Sequence, residues 1–171
     1  MRNRILVVGL CLAFAAIGGC KKGGGEGAGG GGGAPCPAAK ITVDGEAFPV
    51  AFALGYRDKT AGTYAVEFFN QPGVTCEQIL APMRQMAEGE RGGSVFASEG
   101  DGGGLFGSGV SLESNAQLGG KTRLATKPAK PGDPLAICVP DAIEWAATVG
   151  SIQGKKVSIQ GLFTGSYCGE R

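Results

Sequence analysis

The last thirty residues carry the pattern that most restricts how this chain can fold. Ile143, Trp145, Ala147 and Val149 alternate with other residues, and after "GSIQGKK" Val157, Ile159, Gly161, Phe163, Gly165 and Tyr167 alternate in turn. Residues two apart share one face of a β-strand, so the two runs read as a hairpin that would close a sheet. A short helix through Trp145, capped by Asp141 and Glu144, competes with the first strand. The strand is preferred, because Val, Ile and Thr flank Trp145 at the right period.

Upstream the same grammar repeats. In "ITVDGEAFPVAFALGY", Ile41 to Val43 forms one arm, Asp44-Gly45 a type I′ turn, and Glu46 to Tyr56 the other arm. In that long arm Phe48, Val50, Phe52, Leu54 and Tyr56 alternate with Ala47, Pro49, Ala51, Ala53 and Gly55, giving one large apolar face and one small-residue face. Pro49 has no N–H to give a ladder, so an edge or a bulge is expected there. "GTYAVEFFN" (62–70) is a further strand. "GSVFAS" and "GLFGSGVSLES" flank the glycine loop "EGDGGG", and "KTRLAT" and "PLAICV" flank "KPAKPGDP".

One segment reads as helix, "TCEQILAPMRQMAEGE". Thr75 can cap it, and Gln78 three residues on completes a capping box. Ile79, Met83, Met86 and Ala87 recur at three- and four-residue steps. Pro82 predicts either a kink or a short turn followed by a helix from Pro82 to about Glu88. A mostly β body follows, an antiparallel β-sandwich or barrel with one short helix.

The N-terminus is of another kind. Arg2 and Arg4 precede an apolar run from Ile5 to Ile17. As a helix that run spans about 20 Å, short of the ~30 Å hydrocarbon core but right for a signal-peptide core. Gly18 and Gly19 lead into Cys20, and Ile17-Gly18-Gly19-Cys20 resembles the lipobox of bacterial lipoproteins. The resemblance covers residues 1–20 only. It implies cleavage before Cys20, a diacylglycerol thioether on its sulfur, and acylation of its new amino group. Several acyl chains anchor a protein stably without a transmembrane helix. Lys21 rather than Asp follows the cysteine, which in that family favours the outer membrane over inner-membrane retention. Residues 21–35 are mostly glycine and cannot bury enough apolar surface to fold. They read as a tether reaching roughly 20 Å. The expected organisation is a signal peptide (1–19), a lipidated Cys20 with its tether (20–35), and a single disulfide-bonded β domain (36–171).

Four cysteines remain in that domain: Cys36, Cys76, Cys138 and Cys168. An even number in an exported chain reads as two disulfides, with three pairings open. Cys76 with Cys168 and Cys36 with Cys138 is favoured, because two bridges closing long loops would pin both ends of the domain. A zinc site ranks below this, since no Cys-x-x-Cys pair and no histidine are present. No cofactor or metal is expected.

Without Arg2 and Arg4 the 16 basic side chains become 14, against 15 acidic ones, so a nucleic-acid partner is not expected. The lack of histidine removes Ser-His-Asp and Cys-His nucleophile pairs. Paired carboxylates could still hydrolyse glycans. Glu67, Glu113 and Glu144 are the candidates, although outward, solvated strand positions are the preferred reading for all three. Glu99 and Asp101 could contribute oxygens to calcium, but they are few, and a glycine loop is preferred. Trp145, Tyr56 and Tyr167 could stack on a sugar or peptide, with core packing the commoner use of alternating aromatics. The favoured function is a non-enzymatic binding or structural role for a lipid-anchored envelope protein, with a protein or envelope polymer as its partner. An envelope glycan hydrolase is the alternative.

Overall fold

A computed structural model describes residues 35–82, 84–99, 108–119 and 121–171. The expected signal peptide, Cys20 and almost all of the glycine segment lie outside the described residues, as do Met83 and Asp101. The described body is mostly β with one short helix.

The strands are β1 (Lys40–Val43), β2 (Glu46–Ala47), β3 (Phe52–Asp58), β4 (Thr63–Phe69), β5 (Gly92–Ser98), β6 (Gly109–Leu112), β7 (Asn115–Leu118), β8 (Arg123–Thr126), β9 (Pro134–Ala146) and β10 (Lys156–Glu170). The helix α1 (Cys76–Leu80) lies between β4 and β5. All ten strands belong to one sheet that does not close into a barrel.

β10 organises the sheet. Along one edge it pairs antiparallel with β9, from Lys156↔Ala146 to Ser166↔Pro134. Its other edge forks. Val157 to Gln160 pair antiparallel with β1, whereas Ser166, Tyr167 and Glu170 pair parallel with β3. From β3 the sheet runs antiparallel through β4, β5, β6 and β7, and β8 extends the opposite side beyond β9. The parallel pair departs from the purely antiparallel expectation. It is permitted because the chain between β3 and β10 travels through the whole remaining sheet, a far longer crossover than a parallel connection needs.

The sheet doubles back on itself. Tyr64, Val66 and Phe68 on β4, Val95 on β5 and Leu112 on β6 share one buried cluster with Leu135, Ile137 and Val139 on β9 and with Val157, Ile159 and Phe163 on β10. One continuous sheet thus supplies both apolar layers. A smaller cluster lies on the opposite face of β3 and β4, where Leu54, Tyr56, Ala65 and Phe69 pack with Ile79 of α1 and Cys168.

The long arm from Glu46 to Tyr56 is not one strand. Phe48 N–H donates to the Ile41 carbonyl at 2.9 Å, while Ala51 N–H donates to the Phe69 carbonyl at 2.8 Å. The chain therefore crosses from β1 to β4 at Pro49–Val50, where proline has no N–H to offer either partner. Its side chains divide accordingly. Phe48 joins the large core, Leu54 and Tyr56 join the smaller one, and Val50 is 48% exposed. Of the small residues Ala47, Pro49 and Ala51 are exposed, and only Ala53 and Gly55 face the large core, where space is short. Gly55 is one of them, and a Cβ there would meet Leu135 Cδ2 at 2.6 Å.

Other expectations are corrected in detail. "PLAICV" and the Ile143–Trp145 run form the single strand β9, which excludes the helix capped by Asp141 and Glu144. The β9–β10 hairpin lies in the interior of the sheet rather than closing it. Glu113 and Ser114 have φ of 46° and 66° and turn the chain between β6 and β7, a strand not anticipated. The Thr75–Gln78 capping box is present, but α1 ends at Leu80, and among the described residues from Pro82 to Glu88 none is helical. Ala81 is extended, at φ −66° and ψ 142°, as the residue before a proline prefers.

Both favoured disulfides are formed. Cys36 bonds Cys138 across 102 positions and Cys76 bonds Cys168 across 92. The first ties the start of the domain to β9, and the second ties the start of α1 to β10.

Candidate functional site

Two surface recesses use residues that the sequence singled out. The first brings two of the three candidate carboxylates together. Glu67 projects from β4 on the face of Ala65 and Phe69, and Glu113 sits in the β6–β7 turn. Both line a depression of about 200 Å³, with Arg84 and the hydrogen-bonded hydroxyls of Ser94 and Ser111, 2.9 Å apart. Neither is the solvated outward residue expected from alternation. Glu67 is half-buried, and burial raises its carboxyl above the usual range, partly offset by Arg171, the hydrogen bond with Tyr56 and Arg84. The phenol of Tyr56 stands beside it, and burial and the Glu67 charge push that phenol up. Glu113 has a side chain only 9% exposed and is already engaged, accepting from Arg91 Nε and the Ser151 hydroxyl.

The arginines here were not legible as site residues. Arg84 pairs with Glu90 at 2.6 Å and lies over the Phe69 ring, and Arg171 lies 4.0 Å over the Tyr56 ring. Arg171 comes from the chain end and Tyr56 from β3, so only the fold joins them. Chemically the depression offers one carboxyl whose pKa burial raises and one carboxylate whose oxygens both accept hydrogen bonds. A glycosidase instead needs one acid and one free carboxylate facing the bond to be broken. The volume is also below the roughly 300–1,000 Å³ of ligand pockets.

The remaining candidates do not converge. Glu144 is exposed on β9 and pairs with Lys156 at 2.8 Å. Glu99 pairs with Arg57 and Lys127, and hydrogen bonds from those two cations hold its carboxyl below the usual range, Lys127 contributing most. Among the described residues no group of three or more His, Cys, Asp or Glu side chains could hold a metal ion. Tyr56 and Tyr167 are buried in different clusters, and Trp145 packs against the larger one, so the three form no shared stacking surface.

The second recess is apolar and lies at the fork of β10. Its cavity of about 380 Å³ is lined mainly by Ala39, Ile41, Phe48, Val50, Leu162 and Phe163. The crossover at Pro49–Val50 forms one wall and β10 the other. β1 leaves β10 after Gln160 and β3 joins it only at Ser166, and between them an apolar depression lies over the buried side chains of Ile41, Phe48 and Phe163. Phe68, fully buried elsewhere, contributes to the floor. Val50 and Leu162 stand at the rim, 48% and 38% exposed. At the neck Gly161 has φ +109°, and a Cβ there would overlap the Ala38 carbonyl, so only glycine lets the incoming chain pass so close to β10. No charged side chain lines this recess.

No family model, curated protein or solved structure matches the chain.

Proposed function

We propose that this protein is an envelope lipoprotein, anchored through Cys20 and favouring the outer membrane, whose β body has a non-enzymatic binding role. The anchor rests on the apolar run from Ile5 to Ile17 and on Ile17-Gly18-Gly19-Cys20. The binding role rests on one observation, the open apolar recess at the fork of β10, which has the volume and lining of a small ligand site. The described residues begin at Pro35, and Ala39 is part of the recess wall. A flexible tether of the expected length has an r.m.s. reach of roughly 20 Å, so in this reading the body stays near the lipid surface.

Glu67 and Glu113 in one depression favour the second reading, an envelope glycan hydrolase. The pairing of Glu113 with Arg91 and Ser151 weighs against it.

Metabolic labelling with an alkyne fatty acid tests the anchor. Wild type is expected to label and fractionate with membranes, and Cys20→Ser to lose both properties. A Cys20→Ser protein that stays membrane-bound at unchanged mature mass overturns the anchor. Release of soluble glycan fragments by wild type, lost in Glu67→Gln, would overturn the non-enzymatic role.

A further inference from the structure

We infer that the recess at the fork of β10 takes a single hydrocarbon chain, that of a one-tailed lipid such as a fatty acid or lysophospholipid drawn from the membrane to which the protein is anchored. The inference rests on the anchored-lipoprotein reading for the source of the ligand, and on the recess alone for its chemistry.

The lining sets the chemistry. The buried Ile41, Phe48, Phe68 and Phe163 underlie the floor, Val50 and Leu162 make the rim, and Thr164 is the one polar side chain in the lining. No charged side chain contributes, so a ligand must be apolar along the part that enters. The volume of about 380 Å³ lies at the small end of ligand pockets, which suits one chain rather than a two-tailed lipid. The recess is a consequence of the backbone and is not a loosely packed spot. β10 needs both β1 and β3 on one edge, and the crossover between them carries Pro49, which cannot close the gap with a ladder bond.

The length and endpoint of the preceding chain identify the source. Fifteen residues separate Cys20 from Cys36, and the chain enters the domain at Pro37 to Ala39, against β10. Leu162 N–H donates to the Pro37 carbonyl at 2.9 Å, which fixes the tether's exit beside the rim. A flexible tether of this length keeps the body close to the lipid surface, which raises the effective concentration of membrane lipid at the recess.

The test uses the full mature protein reconstituted in phospholipid vesicles containing a trace of diazirine fatty acid. After irradiation and proteolysis, mass spectrometry locates the adduct. The expected result is one saturable adduct per chain on residues 48–53 or 162–164. It should be competed by excess unlabelled palmitate and reduced at least tenfold in Val50→Asp or Leu162→Asp. Both residues are half-exposed and on different elements, and the milder Val50→Thr should reduce labelling several-fold with unchanged unfolding temperature. No adduct in the domain, adducts spread over its surface, or labelling unaffected by all three substitutions each overturns the proposal. So does a dimer abolished by Leu162→Asp in the absence of probe, which would make a second copy the occupant. The N-terminal peptide in the same digest reports on the anchor separately. A Cys20 without lipid overturns the anchor, while a groove adduct formed with dissolved probe would still support the site.

Discussion

Glu67 is the residue whose environment departs most from what its position suggests. Alternation in β4 puts it opposite Val66 and Phe68, hence away from the large core, and the sequence reads that side as water. The side is instead covered by α1, Arg84 and Arg171, which are remote in sequence. Burial raises its carboxyl pKa in the folded state. A carboxyl raised in this way binds its proton more tightly folded than unfolded, so it favours folding at low pH. That contribution is lost as pH rises from the unfolded value, about 4.3, through the raised folded value. Glu67→Gln should therefore flatten this part of the pH profile. The variant's unfolding temperature should match wild type near pH 4 and exceed it by a few degrees near pH 7. Thermal scans of both proteins across that range check it. A wild-type advantage that grows with pH would show instead that Arg84 and Arg171 more than offset burial.

Among the elements, α1 shows how local signals and tertiary constraint share one short helix. Five residues cannot sustain a helix alone, because nucleation is costly. Three things hold α1 in place. The Thr75–Gln78 capping box closes its start, Ile79 inserts into the smaller cluster, and Cys76 is bonded to Cys168. The box was legible because it depends on neighbours along the chain, and so was an interruption at Pro82, though it read as a kink or as the start of a further helix. The absent continuation to Glu88 was not, since periodicity at Met86 and Ala87 invites helix wherever the backbone is free to adopt it. Thr75→Ala should cost about 1 kcal/mol in urea unfolding. The loss should grow when Cys76 and Cys168 are both replaced by Ala, because the bridge no longer restrains the helix start. No loss in either background would mean that water satisfies the helix N-terminus equally well.

At the scale of the whole molecule, the two disulfides join segments that the sheet alone would hold by edges. Cys36 precedes the first strand, and its partner Cys138 is fully buried within β9. Cys168 sits near the end of β10, against α1. Each closes a loop of about a hundred residues, and each should contribute on the order of 2–4 kcal/mol, mainly by restricting the unfolded chain. Replacing either pair by Ala should lower the unfolding temperature by several degrees, and replacing both should lower it further. Intact mass after alkylation, with and without prior reduction, counts the bridges. Four free thiols in the native domain would contradict the pairing, and unchanged unfolding temperatures would contradict its energetic role.

The sequence by itself determined the features that depend on neighbours along the chain. These are the alternation of Ile143 to Val149 and of Val157 to Tyr167, the Asp44-Gly45 turn, the capping box, and the even set of cysteines in the domain. The tertiary structure decided everything that depends on which edge meets which. A strand has two edges with the same hydrogen-bonding groups, and nothing in "KVSIQGLFTGSYCGE" says that one edge of β10 will be shared by β1 and β3. The same choice breaks the long arm at Pro49, turns Glu67 inward, and opens the apolar recess between Ile41 and Leu162. Alternation names the side chains that need cover, whereas only the packed sheet determines which of them are left at a gap.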